Sequence, residues 1–153
     1  MKTMEKTKLI GKWWVTLYGA PNEVKAQRHG TNVITTDGKS FLAGFLASAA
    51  AAASTFTMKY IAVGTDATAE AAANTALGAE AARVAGTASQ VTGAIYRVTA
   101  TFASGVGTGA LVEYGLFSTA TTGAGTIFSR DTEAVVNKGA NDTLTVITEV
   151  TIS

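Results

Sequence analysis

The sequence predicts an all-β domain: an antiparallel β-sandwich or jelly roll with one short helix and an extended N-terminal arm. Three observations predict it. A series of short β-type runs recurs along the 153 residues, separated by Gly, Thr, Asn and Asp turn clusters. Within residues 94–102, AIYRVTATF, the side chains alternate with a period of two. The closing run from Leu144 to Ile152 is itself strand-like, and its backbone groups need partners. Length suits one domain, divided into a docking arm and strand over residues 1–18 and a single sandwich over 19–153.

Taken in order, residues 1–8 read as a flexible arm. Residues 9–19, LIGKWWVTLYG, have strand composition and end at a Gly-Ala-Pro-Asn turn. Residues 23–35 form a second extended segment, most strand-like at Val33-Ile34. Thr35, Thr36 and Asp37 are N-cap candidates for a helix running from Gly38. Its apolar face is Phe41, Leu42, Phe45, Leu46 and Ala49. With no charged face, it is expected to be a largely buried plug over an open end of a sheet. Residues 57–64 read as a strand with Met58, Tyr60 and Ala62 on one face, and Thr65 to Ala76 as a loop. Residues 79–85 lead to Arg83. In 94–102 the side bearing Tyr96, Val98, Ala100 and Phe102 is expected to face the core. Gly105 to Gly109 read as a hairpin connection, and strands at 110–118, 125–136 and 143–152 complete the set.

Composition limits the function classes. Hydrophobic residues make up 47% and charged residues 15%, well outside the disorder regime. Much of the apolar count is alanine, so large core side chains are few. Such a thin core implies that a neighbouring subunit completes part of the burial. Net charge is +1, which selects neither nucleic acid nor an acidic substrate. Its distribution is uneven: residues 1–40 hold seven bases and three acids, residues 41–153 five bases and eight acids. A basic arm on a mildly acidic body suits docking on an acidic partner or head-to-tail contact between copies. Cysteine is absent, which excludes disulfides, thiolate zinc sites and a cysteine nucleophile. The longest apolar run, Phe41 to Phe56, is short of the ~20 residues needed to span a bilayer. No membrane segment is expected.

Chemistry is harder to find than architecture. His29 is the sole histidine, set between Arg28 and Gly30, and no G-x-S-x-G accompanies it. That context reads as a surface or partner-contact residue. One histidine and no cysteine leave no metal-ligand spacing. Glu113 and Glu133 are carboxylates with nothing marking a sugar cleft between them. Gly105-Val106-Gly107-Thr108-Gly109 lacks the Lys-Ser/Thr of a phosphate loop. The chain is expected to be no enzyme, with no catalytic, cofactor-binding or metal-binding residues.

Trp13 and Trp14 carry the binding expectation. Neighbours in a strand point to opposite faces, so one indole anchors the core and the other is left outside, where an amphipathic ring suits an interface. Lys8, Lys12, Trp13, Trp14 and Arg28 are therefore the candidate partner-binding residues.

Several motifs resemble those of tailed-bacteriophage virion structural proteins. They are Tyr60-Ile61-Ala62-Val63-Gly64-Thr65, Asn74 through Glu80, and Arg83. Glu113-Tyr114-Gly115-Leu116-Phe117, Ile127-Phe128-Ser129-Arg130, Val136-Asn137-Lys138-Gly139 and Asp142 through Val146 follow. The resemblance covers about residues 31–153. It implies a β-module of the particle surface, foremost a head-decoration or cement protein that binds the major capsid protein, or another virion protein, and stabilises the head. It also implies self-association, a trimer before a dimer, and location on the virion after synthesis in the bacterial cytoplasm. The alternatives are a tail- or head-fibre module binding a receptor or glycan through loops 65–76, 104–109 and 119–125, and a tail-tube or connector component. Those loops contain no aromatic residue for sugar stacking.

Overall fold

In the computed structural model, residues 6–47 and 57–153 are described. Leu9–Gly19 (β1) turns at Ala20-Pro21-Asn22 onto Glu23–Ile34 (β2). Thr36–Ala47 (α1) follows, then Tyr60–Gly64 (β3), Glu80–Ala85 (β4), Thr87–Gln90 (β5), Ile95–Phe102 (β6), Gly109–Phe117 (β7), Ile127–Lys138 (β8) and Thr143–Ile152 (β9). Every strand pairing is antiparallel.

Two sheets face each other. One has the order β5-β6-β9-β1-β2, the other β4-β3-β7-β8. Strand β2 belongs to both: residues up to Asn32 pair with β1, while Val33 and Ile34 pair with Arg130 and Ser129 of β8. At the opposite corner β4 and β5 are one continuous path broken only by Gly86, β4 on β3 and β5 on β6. A Cβ at Gly86 would press on Val98 and the Thr99 carbonyl, so the corner needs a residue without a side chain. The pairings run as one series from β4 to β5, whose ends meet through the chain at Gly86 and not by hydrogen bonds, and β2 is paired on one side only up to Asn32. The final strand, β9, finds its partners inside the chain, between β1 and β6.

The core fills the space between the sheets. Trp13, Val15 and Leu17 enter from β1, Val98, Ala100 and Phe102 from β6, Leu111, Tyr114 and Leu116 from β7, and Leu144, Val146 and Val150 from β9. The expected inward face of residues 94–102 is the observed one, with Tyr96 partly buried beside it.

Three expectations need correction. Residues 9–18 are not an arm set apart from the domain. They form β1, an interior strand paired on both sides, because Trp13, Val15 and Leu17 supply a full core face. Gly105 to Gly109 is not a hairpin, since β6 and β7 lie in different sheets, and the segment crosses between them. Helix α1 is not largely buried: Gly38 alone is fully enclosed and Leu46 is 77% exposed. Thr35 caps it, its Oγ1 accepting from Gly38 N at 2.8 Å and donating to the Ile127 carbonyl at 2.6 Å. The helix lies across one end of the sandwich, as expected, over an apolar hollow of about 330 Å³. The expected contribution of Ala49 falls outside the described residues. On β8, Arg130 and Asp131 are adjacent. Both are buried, and they point to opposite faces of β8.

Candidate functional site

The outer face of the first sheet gathers most of the expected binding residues. Along β1 the outward positions are Ile10, Lys12, Trp14, Thr16 and Tyr18, with Lys8 continuing the same alternation beyond the strand. Lys8 is exposed, and its backbone pairs with Ser153. Lys12 is exposed opposite Thr31 and Glu149. Trp14 is partly exposed, set between His29 of β2 and Ile147 of β9. It divides two shallow dishes. One, of about 510 Å³, has Lys12, Trp14, His29 and Thr31 at its corners and the Trp13–Gly30 backbone as its floor. The other, of about 220 Å³, is framed by Trp14, Ile147, Arg97 and Glu149. Arg97 Nε donates to Glu149 Oε1 at 2.7 Å, which fixes that rim.

Two expected residues are placed elsewhere. Trp13 is fully enclosed, its ring 6.1 Å from that of Tyr114. Its indole N–H donates to Asn32, whose amide, oriented to suit, also accepts from Ser129 Oγ at 2.9 Å and donates to the Gly11 carbonyl at 3.1 Å. This is a core anchor tying β1, β2 and β8. Arg28 is spent within the fold. The β7–β8 register slips between Leu111 and Glu113, leaving Glu133, Ala134 and Val135 as a bulge. Arg28 donates to the carbonyls of Ala134 (3.3 Å) and Val135 (3.2 Å), and to that of Gln27 (2.8 Å). His29 joins the outer face instead; its neighbour position in β2 dictates that once Arg28 turns inward.

The motif residues hold loops in place. Glu113, with no exposed surface, accepts from the N–H groups of Asp66 (3.2 Å), Gly78 (2.9 Å) and Ala79 (2.7 Å) and from Arg130. Arg130 also donates to the Ala69 carbonyl and Asn74 Oδ1, both at 3.3 Å. Together they fasten the 65–79 loop over the second sheet. A Cβ on Gly64 would overlap the Glu113 carboxylate and the Ala79 carbonyl, which is why glycine stands there. Glu80 and Arg83 pair at 2.7 and 2.8 Å within β4. A register slip between Val63 and Gly64 brings them to one face. Arg83 also stacks on Phe117, 3.6 Å from its ring centroid, and binds the carbonyls of Thr119 and Ala124, pinning the 118–126 loop. Lys138 is buried and donates to the Ala103 carbonyl at 3.0 Å; burial lowers its pKa, with Asp142 opposing. Asp142 is held below the usual carboxylate range by Lys25, 2.8 Å away, and by the Gly139 N–H.

On the inner face of β8, Asp131 is 1% exposed and its Oδ2 has no hydrogen-bond partner. Burial pushes its pKa up to about 7, reinforced by the charges of Glu133 and Glu70, with a backbone hydrogen bond from Thr132 opposing. Its cross-strand neighbour Tyr114 also has an unpartnered hydroxyl, raised above its ordinary range by burial and then by Asp131 and Glu133.

Among the described residues no group of three or more His, Asp or Glu side chains is arranged to hold a metal ion, and no helix is long and apolar enough to cross a membrane. In comparisons with known proteins, no protein family, curated protein or solved structure matches the chain.

Proposed function

We propose that the chain is a structural protein of a tailed-bacteriophage particle, acting as a head-decoration protein that grips an acidic patch of the capsid surface. The observation that carries this reading is Trp14, a partly exposed indole on a flat sheet face beside Lys8, Lys12 and His29. An aromatic anchor with a cationic rim supplies apolar burial and steering toward an acidic platform. The motif residues that resemble virion proteins support the reading as loop fasteners, which keep a small module rigid between its neighbours. Repetition of modest contacts over many symmetry-related sites, with copies also touching one another as a trimer, gives strong retention. Each bound copy then raises the cost of opening the shell by mass action.

The experiment is a binding assay. Particles assembled without the chain are incubated with purified wild type, Trp14→Ala, and the double variant Lys8→Glu, Lys12→Glu, each verified as folded by circular dichroism. Both variants should lose most of their occupancy, and added salt should weaken the residual binding of Trp14→Ala but not that of the charge variant. Wild-type occupancy in both removes the proposal. Deleting residues 1–12 is an unsuitable test, because it strips Leu9 to Lys12 from an interior strand.

A further inference from the structure

We propose that Asp131 and Glu133 form a pH-operated wedge in the seam where β2 leaves β8. The recorded pairing of these strands ends at Val33 opposite Arg130, so Asp131 is the first residue of β8 past the last rung. From there the strands diverge, and β8 bulges at Glu133, Ala134 and Val135. Both carboxylates sit at this divergence, on the side of Gly30. A Cβ at Gly30 would overlap Glu133 Oε1 and lie 3.9 Å from Asp131 Oδ1, so glycine leaves the space that the two acids occupy.

The groups facing Asp131 are unequal to holding its charge. On its own strand stands Glu133; on β7, Tyr114, whose hydroxyl is unpartnered; from the 65–79 loop, Glu70, bound to Thr132 on the other face. Among the described residues Arg28 of β2 is the cation at the seam, and Nε, Nη1 and Nη2 already donate to main-chain carbonyls. Arg130 points to the opposite face, toward Glu113 and Asp66. His29 is adjacent in β2 but belongs to the outer dish. Below neutrality the protonated Asp131 is a neutral acid beside the Glu133 carboxylate. As pH rises its proton passes to solvent, the buried Asp131 charge faces the half-buried Glu133 carboxylate, and the two press on the backbone of Gly30. Opening of the β2–β8 seam relieves that repulsion. The direction agrees with the raised pKa of Asp131. Gly30 is also part of the floor beside Trp14, so the seam and the outer face share a strand segment. The wedge needs only the isolated chain and does not depend on the proposed docking role.

Amide hydrogen exchange of the full chain between pH 5.5 and 8.5, corrected for intrinsic base catalysis, tests it. Wild-type amides of residues 27–33 and 131–136 should lose protection as pH rises toward about 7, approaching tenfold per pH unit as expected for one linked proton, and level off above it. Those of the β6–β9 pair should stay better protected than the seam throughout, because they open only with global unfolding. Asp131→Asn should abolish the dependence, and Glu133→Gln should move its midpoint to higher pH only if Glu133 stabilises the charge. The wedge requires the reverse, a lower opening tendency with the midpoint unchanged or displaced downward. Seam protection that is flat with pH below about 7, or that is no lower than that of β6 and β9, overturns the proposal. So does a Glu133→Gln midpoint displaced upward, which decides the matter even if Asp131→Asn fails to fold.

Discussion

Glu113 Oε2 accepts from both Nε and Nη2 of Arg130, at 3.1 and 2.9 Å, across the β7–β8 pair with neither side chain exposed by more than 2%. Such a pair is defensible in a dry site only because every remaining oxygen lone pair is engaged, here by three backbone N–H groups of the 65–79 loop. Glu113→Ala leaves the buried Arg130 cation only Asp66, 3.8 Å away, and frees three donors at once. It should cost about 3–5 kcal/mol by chemical denaturation. Limited proteolysis should then cut first within residues 65–79.

Arg83 makes the corresponding fastening for the 118–126 loop, using a planar fork that lysine lacks. Arg83→Lys keeps the charge near Glu80 but loses the stack on Phe117 and the grip on the Thr119 and Ala124 carbonyls. A loss of about 1–3 kcal/mol is expected, with hydrogen exchange rising in residues 118–126 and unchanged in β1. An equal rise in both would show that Arg83 supports the whole fold and not one loop.

Helix α1 contains two glycines with opposite expected behaviour. A Cβ at Gly38 would run into the backbone of Phe128, which cannot yield without moving β8, whereas a Cβ at Gly44 meets nothing within 4 Å. Gly44→Ala should therefore stabilise by about 0.5–1 kcal/mol through helix propensity. Gly38→Ala should destabilise by about 1–3 kcal/mol through overpacking. Thermal melts of the two single variants read both signs directly.

These sites also show where the sequence is readable. The alternation of Val98, Ala100 and Phe102, the opposite placement of Trp13 and Trp14, and the Thr35 cap depend on neighbours close in the chain, so local pattern exposes them. Strand β5, Thr87–Gln90, is exposed throughout and carries no apolar alternation; it exists because Gly86 turns β4 around the corner. The burial of Glu113 and Arg130 depends on a loop that closes over them from 34 to 61 residues away. Arg28 looked like a free cation for the same reason: its carbonyl partners on β8 appear only when a bulge more than 100 residues later comes alongside. Of the binding face, Lys8, Lys12 and Trp14 were legible from period-two spacing, while His29, Ile147 and the Arg97–Glu149 rim required the register of three strands.

Asp131 gives the protein an unusual pH profile. Its pKa is about 7 in the fold against an ordinary 3.8, so between those values the folded state binds more protons than the unfolded one. Stability then falls as pH rises through this window and levels off above about 7. At about 1.4 kcal/mol per pKa unit, the full effect is roughly 4 kcal/mol. Asp66 and Asp142 act with the opposite sign, since both are held below the usual range and their contribution is lost as pH falls below about 4. The opposed directions place maximum stability on the acid side of neutrality. Denaturant midpoints measured from pH 3.5 to 8 should decline on both sides of that maximum. In Asp131→Asn the alkaline decline should vanish while the acid one remains, because the asparagine carries no proton to lose and leaves Lys25–Asp142 and Asp66–Thr68 untouched. A wild-type midpoint that climbs steadily to pH 7 would mean that Asp131 is ionised in the fold and has found a counter-charge.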